Sequence, residues 1–110
     1  CQRQVSAQPL APSDVGIDLI GMFGRPKPMT EIDIKQTINR YAKVAASAKA
    51  AGFTGVQIHA AHGYLISQFL SPLANTRGDQ WGGSLENRAR FLLDTVAAVR
   101  DAVGPSFRSQ

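Results

Sequence analysis

Between two amphipathic segments the chain carries one short run of strand character, Phe53-Thr54-Gly55-Val56-Gln57-Ile58-His59-Ala60, bounded by Gly52 and Gly63. A helix followed closely by such a run is the signature of an α/β unit, in which the strand is parallel and buried on both faces. Alternation puts Val56, Ile58 and Ala60 toward one layer and Gln57 and His59 toward the other. A strand of this kind has two edges to pair and two faces to cover. The surrounding segments offer no second strand, so its neighbours are expected from chain before Cys1 or after Gln110. A length of 110 residues would suit one small domain. The order helix, strand, long loop, helix instead predicts that residues 1–110 are an incomplete portion of a larger α/β domain.

The helices announce themselves locally. Thr30 with Asp33 forms a capping box of the weaker, shorter-acid kind, and Glu31 adds negative charge where the helix dipole favours it. Ile34, Ile38, Tyr41, Ala42, Ala45 and Ala48 then recur at helical spacing, with Lys35, Lys43 and Lys49 mainly outside the stripe. This predicts a helix from Glu31 to about Ala51, with Gly52 in the left-handed position after it. A helical turn over Leu65 to Leu70 is stopped by Pro72, and Asn75 to Gly83 reads as a polar loop. Ser84 is the expected N-cap of the last helix, with Leu85, Ala89, Leu92, Val96, Val99 and Val103 as its apolar stripe and Gly104-Pro105 as its end. Before all of this, Cys1 to Met29 holds Pro9, Pro12, Pro26 and Pro28 together with Gly16, Gly21 and Gly24. Such punctuation with no lasting period predicts a surface excursion.

Composition removes several function classes. With 44% apolar and 18% charged residues the chain is too apolar for intrinsic disorder. The net charge of +4 is spread along the chain, and its densest basic cluster is Arg25 and Lys27 around Pro26. Nucleic-acid and membrane-surface patches need longer Lys/Arg runs. No apolar run reaches the length of a spanning helix. The single cysteine cannot form an internal disulfide, which suits a reducing compartment and leads to a cytoplasmic expectation.

His59 and His62 are the only histidines, set where the strand runs out into a loop, and Tyr64 follows. Ligands bind at the C-terminal ends of strands in α/β sheets and barrels, because several loops converge there on a rigid floor. The pair also has plainer readings. A histidine at a strand end can be a hydrogen-bonded structural residue, and a metal site would need a third ligand that the spacing does not supply. Cys1 has no base fixed beside it, so it reads as inert. Arg77, Asp79, Arg88 and Arg90 could bind phosphate, yet their placement in a polar loop and a first helical turn fits ties to their own scaffold better. Gly82-Gly83-Ser84 reads as a helix entry, since no phosphate-loop pattern surrounds it.

The run from Ala51 through Gly55-Val56-Gln57-Ile58-His59-Ala60-Ala61-His62-Gly63-Tyr64-Leu65 continues through Gln68-Phe69-Leu70-Ser71-Pro72. After it come Asn75-Thr76-Arg77-Gly78-Asp79-Gln80-Trp81-Gly82-Gly83-Ser84 and Glu86-Asn87-Arg88-Ala89-Arg90-Phe91. This series of spaced motifs strongly resembles the Old Yellow Enzyme family of FMN-dependent NAD(P)H:flavin oxidoreductases, or ene-reductases. The specific likeness covers about Ala51 to Gly104, with weaker likeness in the preceding loop and helix.

The resemblance implies a (β/α)8 barrel with FMN at its C-terminal mouth, of which this chain is a middle fragment and a partial TIM barrel. It implies reduction of activated alkenes, such as α,β-unsaturated carbonyls, by hydride from NAD(P)H through FMN. Small molecules are then the partners, and homo-oligomers of the full-length parent stay open. His59 and His62 match the family pair that hydrogen-bonds the substrate's electron-withdrawing oxygen, the second place being Asn in many members. Tyr64 matches the proton-donating tyrosine of several members. Gln57 departs from the family's common acidic residue, which removes or softens an ionic contact there. Pro105 to Gln110 is too short to align with the family's next strand, so Arg108 receives no flavin-contacting role and the cofactor-binding residues stay unassigned. The contrasting reading is an inactive truncation or a non-catalytic binding module.

Overall fold

The computed structural model describes residues 10–15 and 26–110. Cys1, Pro9, Gly16, Gly21, Gly24 and Arg25 lie outside the described residues. In chain order the elements are β1 (Leu10–Ala11), β2 (Lys27–Pro28), α1 (Glu31–Ala50), β3 (Gly55–Val56), α2 (Leu65–Leu70), α3 (Leu85–Val103) and β4 (Arg108–Ser109). The class is α/β.

Helix α1 begins as its sequence predicts. Thr30 Oγ1 accepts from the Asp33 N–H at 3.2 Å and Asp33 Oδ2 accepts from the Thr30 N–H at 3.0 Å, which closes the capping box. The helix ends at Ala50, and Gly52 follows at φ +94°, a left-handed backbone that a side chain would strain. Its small-residue face packs along α3. One core cluster joins Met29, Ile34, Ile66, Phe69, Trp81 and Phe91, with the rings of Phe69 and Phe91 stacked at 4.5 Å. A second joins Ala45, Val99 and Val103, with Val56 and Phe107 against it. Ile58 touches both clusters, so β3 leads into the site across the seam between them.

The buried stripe of α3 differs from the predicted one. Phe91, Thr95, Val99 and Val103 face the core, while Leu85 and Val96 are 63% and 42% exposed. The core row runs at four-residue spacing from Phe91, which the predicted stripe omitted, through Thr95, whose hydroxyl donates to the Phe91 carbonyl at 2.7 Å. A threonine satisfied in this way is at home in a core, so the stripe runs through a residue that an apolar pattern skips.

The strand also corrects its prediction. Ladder pairing covers only Gly55–Val56, Phe53 is 65% exposed, and the strand is half-buried rather than enclosed. One of its edges is paired inside the chain, because β4 lies parallel to it with Gly55 opposite Arg108 and Val56 opposite Ser109. The Gln110 N–H donates to the Val56 carbonyl at 3.1 Å, extending the pairing. Arg100, in the last turn of α3, folds the final hexapeptide into place by donating to the carbonyls of Gly104 and Phe107 and to Ser109 Oγ. Lys49 Nζ adds a bond to the Val103 carbonyl at 2.6 Å, holding the end of α3 against α1. Two residue pairs of the proline-rich excursion are bridged as well: β1 and β2 run parallel, with Leu10 opposite Lys27 and Ala11 opposite Pro28.

Candidate functional site

The chain leaves β3 through Gln57, Ile58 and His59 and then turns sharply. His62 sits at φ +59° and Gly63 at φ +76°, two consecutive left-handed residues. A non-glycine residue rarely adopts this conformation, and such strain gathers at functional sites. The turn is closed by the Tyr64 N–H donating to the Ala61 carbonyl at 3.3 Å. It delivers Tyr64 to the N-cap of α2, a short helix seated in the core by Ile66 and Phe69, both fully buried.

The reversal brings the three predicted site residues together. The ring of His59 lies 5.3 Å from that of His62 and 5.0 Å from that of Tyr64, edge to face in both cases. All three side chains stand on the solvent-facing lip above the packed floor, with Tyr64 62% exposed. His59 Nδ1 accepts from the Ala61 N–H at 3.3 Å. In the neutral ring this leaves the proton on Nε2, where it can be donated outward. His59 thus stands between His62 and Tyr64, and the three rings put imidazole N–H and phenol O–H groups side by side on one exposed lip, donor types suited to an oxygen that carries or gains negative charge. Among the described residues no three His, Cys, Asp or Glu side chains are placed to hold a metal ion.

The polar loop serves the scaffold. Arg77 donates to the carbonyls of Pro12 at 2.9 Å and Met29 at 2.6 Å, and pairs with Asp79 at 2.6 Å. The Arg77 guanidinium, then the Trp81 N–H, hold the Asp79 carboxyl below its usual range against the opposing effect of burial. Arg88 donates to the carbonyls of Leu70 and Gly83, and Arg90 to the Gln80 carbonyl and Asn87 Oδ1. Gly82-Gly83-Ser84 is a helix entry, where Ser84 Oγ accepts from the Asn87 N–H.

Two residues at work here were not singled out from the sequence. Asn75 is 4% exposed and its amide donates to the carbonyls of Phe69 and Trp81, both at 2.8 Å, which ties the loop to the end of α2. Gln68 donates from Nε2 to the Gly63 carbonyl at 2.8 Å, directly at the site's turn. The available signal for Gln68 is an amide one helical turn beyond a Gly-Tyr helix entry.

The chain matches the sequence profile of the NADH:flavin oxidoreductase / NADH oxidase family over residues 2–108. It is 48% identical over 107 residues to an NADPH dehydrogenase of Geobacillus sp. (strain WCH70), covering 96% of this chain and 31% of that protein. It is 42% identical over 100 residues to an NADH oxidase of Thermoanaerobacter brockii, covering 91% of this chain and 15% of that one. Among solved structures, a 2-naphthoyl-CoA reductase in complex with 2-naphthoyl-CoA superposes with a TM-score of 0.89 at 36% identity, covering 93% of this chain and 15% of that one. Morphinone reductase superposes with a TM-score of 0.82 at 37% identity, covering 92% of this chain and 30% of that one. The chain thus spans less than a third of the length of each of these relatives.

Proposed function

The chain belongs to the NADH:flavin oxidoreductase / NADH oxidase family, and from that premise we propose that it is the substrate-side portion of a flavin oxidoreductase. The full-length parent would reduce activated alkenes, α,β-unsaturated carbonyl or nitro compounds, with hydride drawn from NAD(P)H through FMN. The segment β3, α3 and β4 is one strand-helix-strand unit of a (β/α)8 barrel, and His59, His62 and Tyr64 stand at the exit of its first strand. A cytoplasmic place accompanies this reading and rests on the single cysteine.

The placing of His62 and Tyr64 against the His59 ring, with centroids 5.3 and 5.0 Å away, carries the proposal. Two imidazoles suit a substrate's electron-withdrawing oxygen, and the phenol beside them suits delivery of a proton. They do not form a phosphate cradle, so no residue of this segment is assigned to holding FMN itself. FMN, when bound and reduced, supplies the hydride. His59 Nε2–H and a ring N–H of His62 hold the substrate's carbonyl or nitro oxygen as negative charge builds there. Because Ala61 fixes His59 through Nδ1, that donor needs no reorganisation at the moment of reaction. Each donor preset in this way lowers the barrier by about 2.7 to 4 kcal/mol. Tyr64 Oη–H then gives a proton to the α-carbon as general acid.

Purification of the full-length parent tests the proposal. The expected result is a yellow protein whose NAD(P)H oxidation is driven by an α,β-unsaturated ketone, with the saturated ketone as product. A colourless protein without that activity would overturn it. The 110-residue chain alone is expected to bind no FMN tightly, and a stoichiometric yellow complex would contradict that expectation.

A further inference from the structure

We infer that Gln68 is a positioning residue for this site, acting through the Gly63 carbonyl to set the aim of Tyr64. The inference rests on the reading of Tyr64 as proton donor. Gly63 has no side chain to pack against a neighbour, and even an added Cβ would meet nothing within 4 Å, so no side-chain packing holds this point of the turn. Its φ of +76° follows the strained +59° of His62, and this pair of left-handed residues turns Tyr64 back onto His59. Hydrogen bonds therefore fix the turn. The backbone bond from Tyr64 to Ala61 is long, at 3.3 Å. The bond from Gln68 Nε2 to the Gly63 carbonyl is 2.8 Å and ties the peptide preceding Tyr64 to a residue within α2.

Gln68 itself is well anchored for that task. Its backbone N–H donates to the Tyr64 carbonyl at 2.8 Å, and the next residue, Phe69, is fully buried and stacked on Phe91. The amide therefore reaches Gly63 from a rigid support, while the carbonyl it holds belongs to the most deformable residue of the turn. Without the bond, the peptide between Gly63 and Tyr64 can rotate, and the phenol loses its fixed relation to the His59 ring. Misplacement of a donor by a fraction of its hydrogen-bond length is felt in the step where its proton moves.

The test is a double-mutant cycle in the FMN-loaded full-length parent, read as the rate at which reduced enzyme converts an α,β-unsaturated ketone. Gln68→Met keeps length and helix propensity but removes the donor, and it should slow that step about three- to tenfold, the range one neutral hydrogen bond supports. Gln68→Lys keeps a donor of similar reach and should restore most of the rate. In a Tyr64→Phe background, Gln68→Met should add less than about twofold, because the group it positions is gone. Wild-type rate in Gln68→Met, failure of Gln68→Lys to rescue, or a full additional loss in the Tyr64→Phe background would each overturn the inference while leaving the role of Tyr64 intact. A wild-type rate in Tyr64→Phe alone would instead remove the proton-donor reading, and the inference with it.

Discussion

Replacing Arg77 with Ala should show how much this one guanidinium stabilises the loop after α2, which Asn75 and Arg90 also hold. Arg77 donates to the backbone carbonyls of Pro12 and Met29 and to Asp79, so it ties the β1–β2 bridge to the loop. Its side chain is only 11% exposed, and Pro12 and Met29 are buried. Truncation leaves two buried carbonyls without their charged donor, at about 1 to 3 kcal/mol each. Water entering the vacated space pulls the sum toward the lower end, so the expected loss is about 2 to 4 kcal/mol. Asp79→Asn is the control: that carboxylate is 46% exposed and its pair contributes about 0 to 1 kcal/mol. Urea titration of the intact protein, followed by the fluorescence of the buried Trp81, gives both values on one scale. A loss below about 0.5 kcal/mol in Arg77→Ala, or an equal loss in both variants, would refute the assignment of the stabilisation to the carbonyl bonds.

Two further predictions come from the same region and from the helix start. Gly82→Ala should cost more than about 2 kcal/mol, since an added Cβ would stand 2.6 Å from Arg77 Cβ and 2.7 Å from its carbonyl oxygen. Gly83→Ala, where a Cβ meets open space and only the φ of +89° is strained, should cost about 1 kcal/mol in the same urea assay. Acid should destabilise the fold through two carboxylates held below the usual value of 3.8, Asp33 by the Thr30 backbone and side chain and Asp79 by Arg77. A depressed folded-state pKa stabilises above the unfolded value and is lost as pH falls through the folded one, so the urea midpoint should drop below about pH 4. The drop should be shallower in Asp79→Asn, and an unchanged slope would exclude its contribution.

Local signals were legible in the sequence. Thr30 with Asp33, Ser84 as an N-cap, and Gly52 act within a single turn, so their chemistry fixes the helix ends wherever the chain lies. The short helix Leu65–Leu70 was equally readable, with Pro72 soon after it. The partner of β3 was not. Arg108–Ser109 has no periodicity of its own and becomes a strand because Arg100 gathers the carbonyls of Gly104 and Phe107. The buried face of α3 was misjudged for a similar reason, since Thr95 is satisfied by a bond that a pattern of apolar residues does not count. At the site, His59, His62 and Tyr64 could be named from their position and from the family likeness. Their meeting depends on left-handed backbone at His62, a residue type that adopts it more often than most but still uncommonly, and on Gln68, whose role appears only when the turn is seen closed.

The central claim is that His59 stabilises charge on a substrate oxygen. The direct measurement is the rate at which reduced, FMN-loaded parent carrying His59→Ala converts an α,β-unsaturated ketone, compared with the unsubstituted enzyme at equal flavin content. The claim predicts a rate lower by about 100- to 1,000-fold, the loss of one preset donor. A rate within about twofold of the unsubstituted enzyme would contradict it, because a hydrogen bond made to developing charge cannot be removed so cheaply.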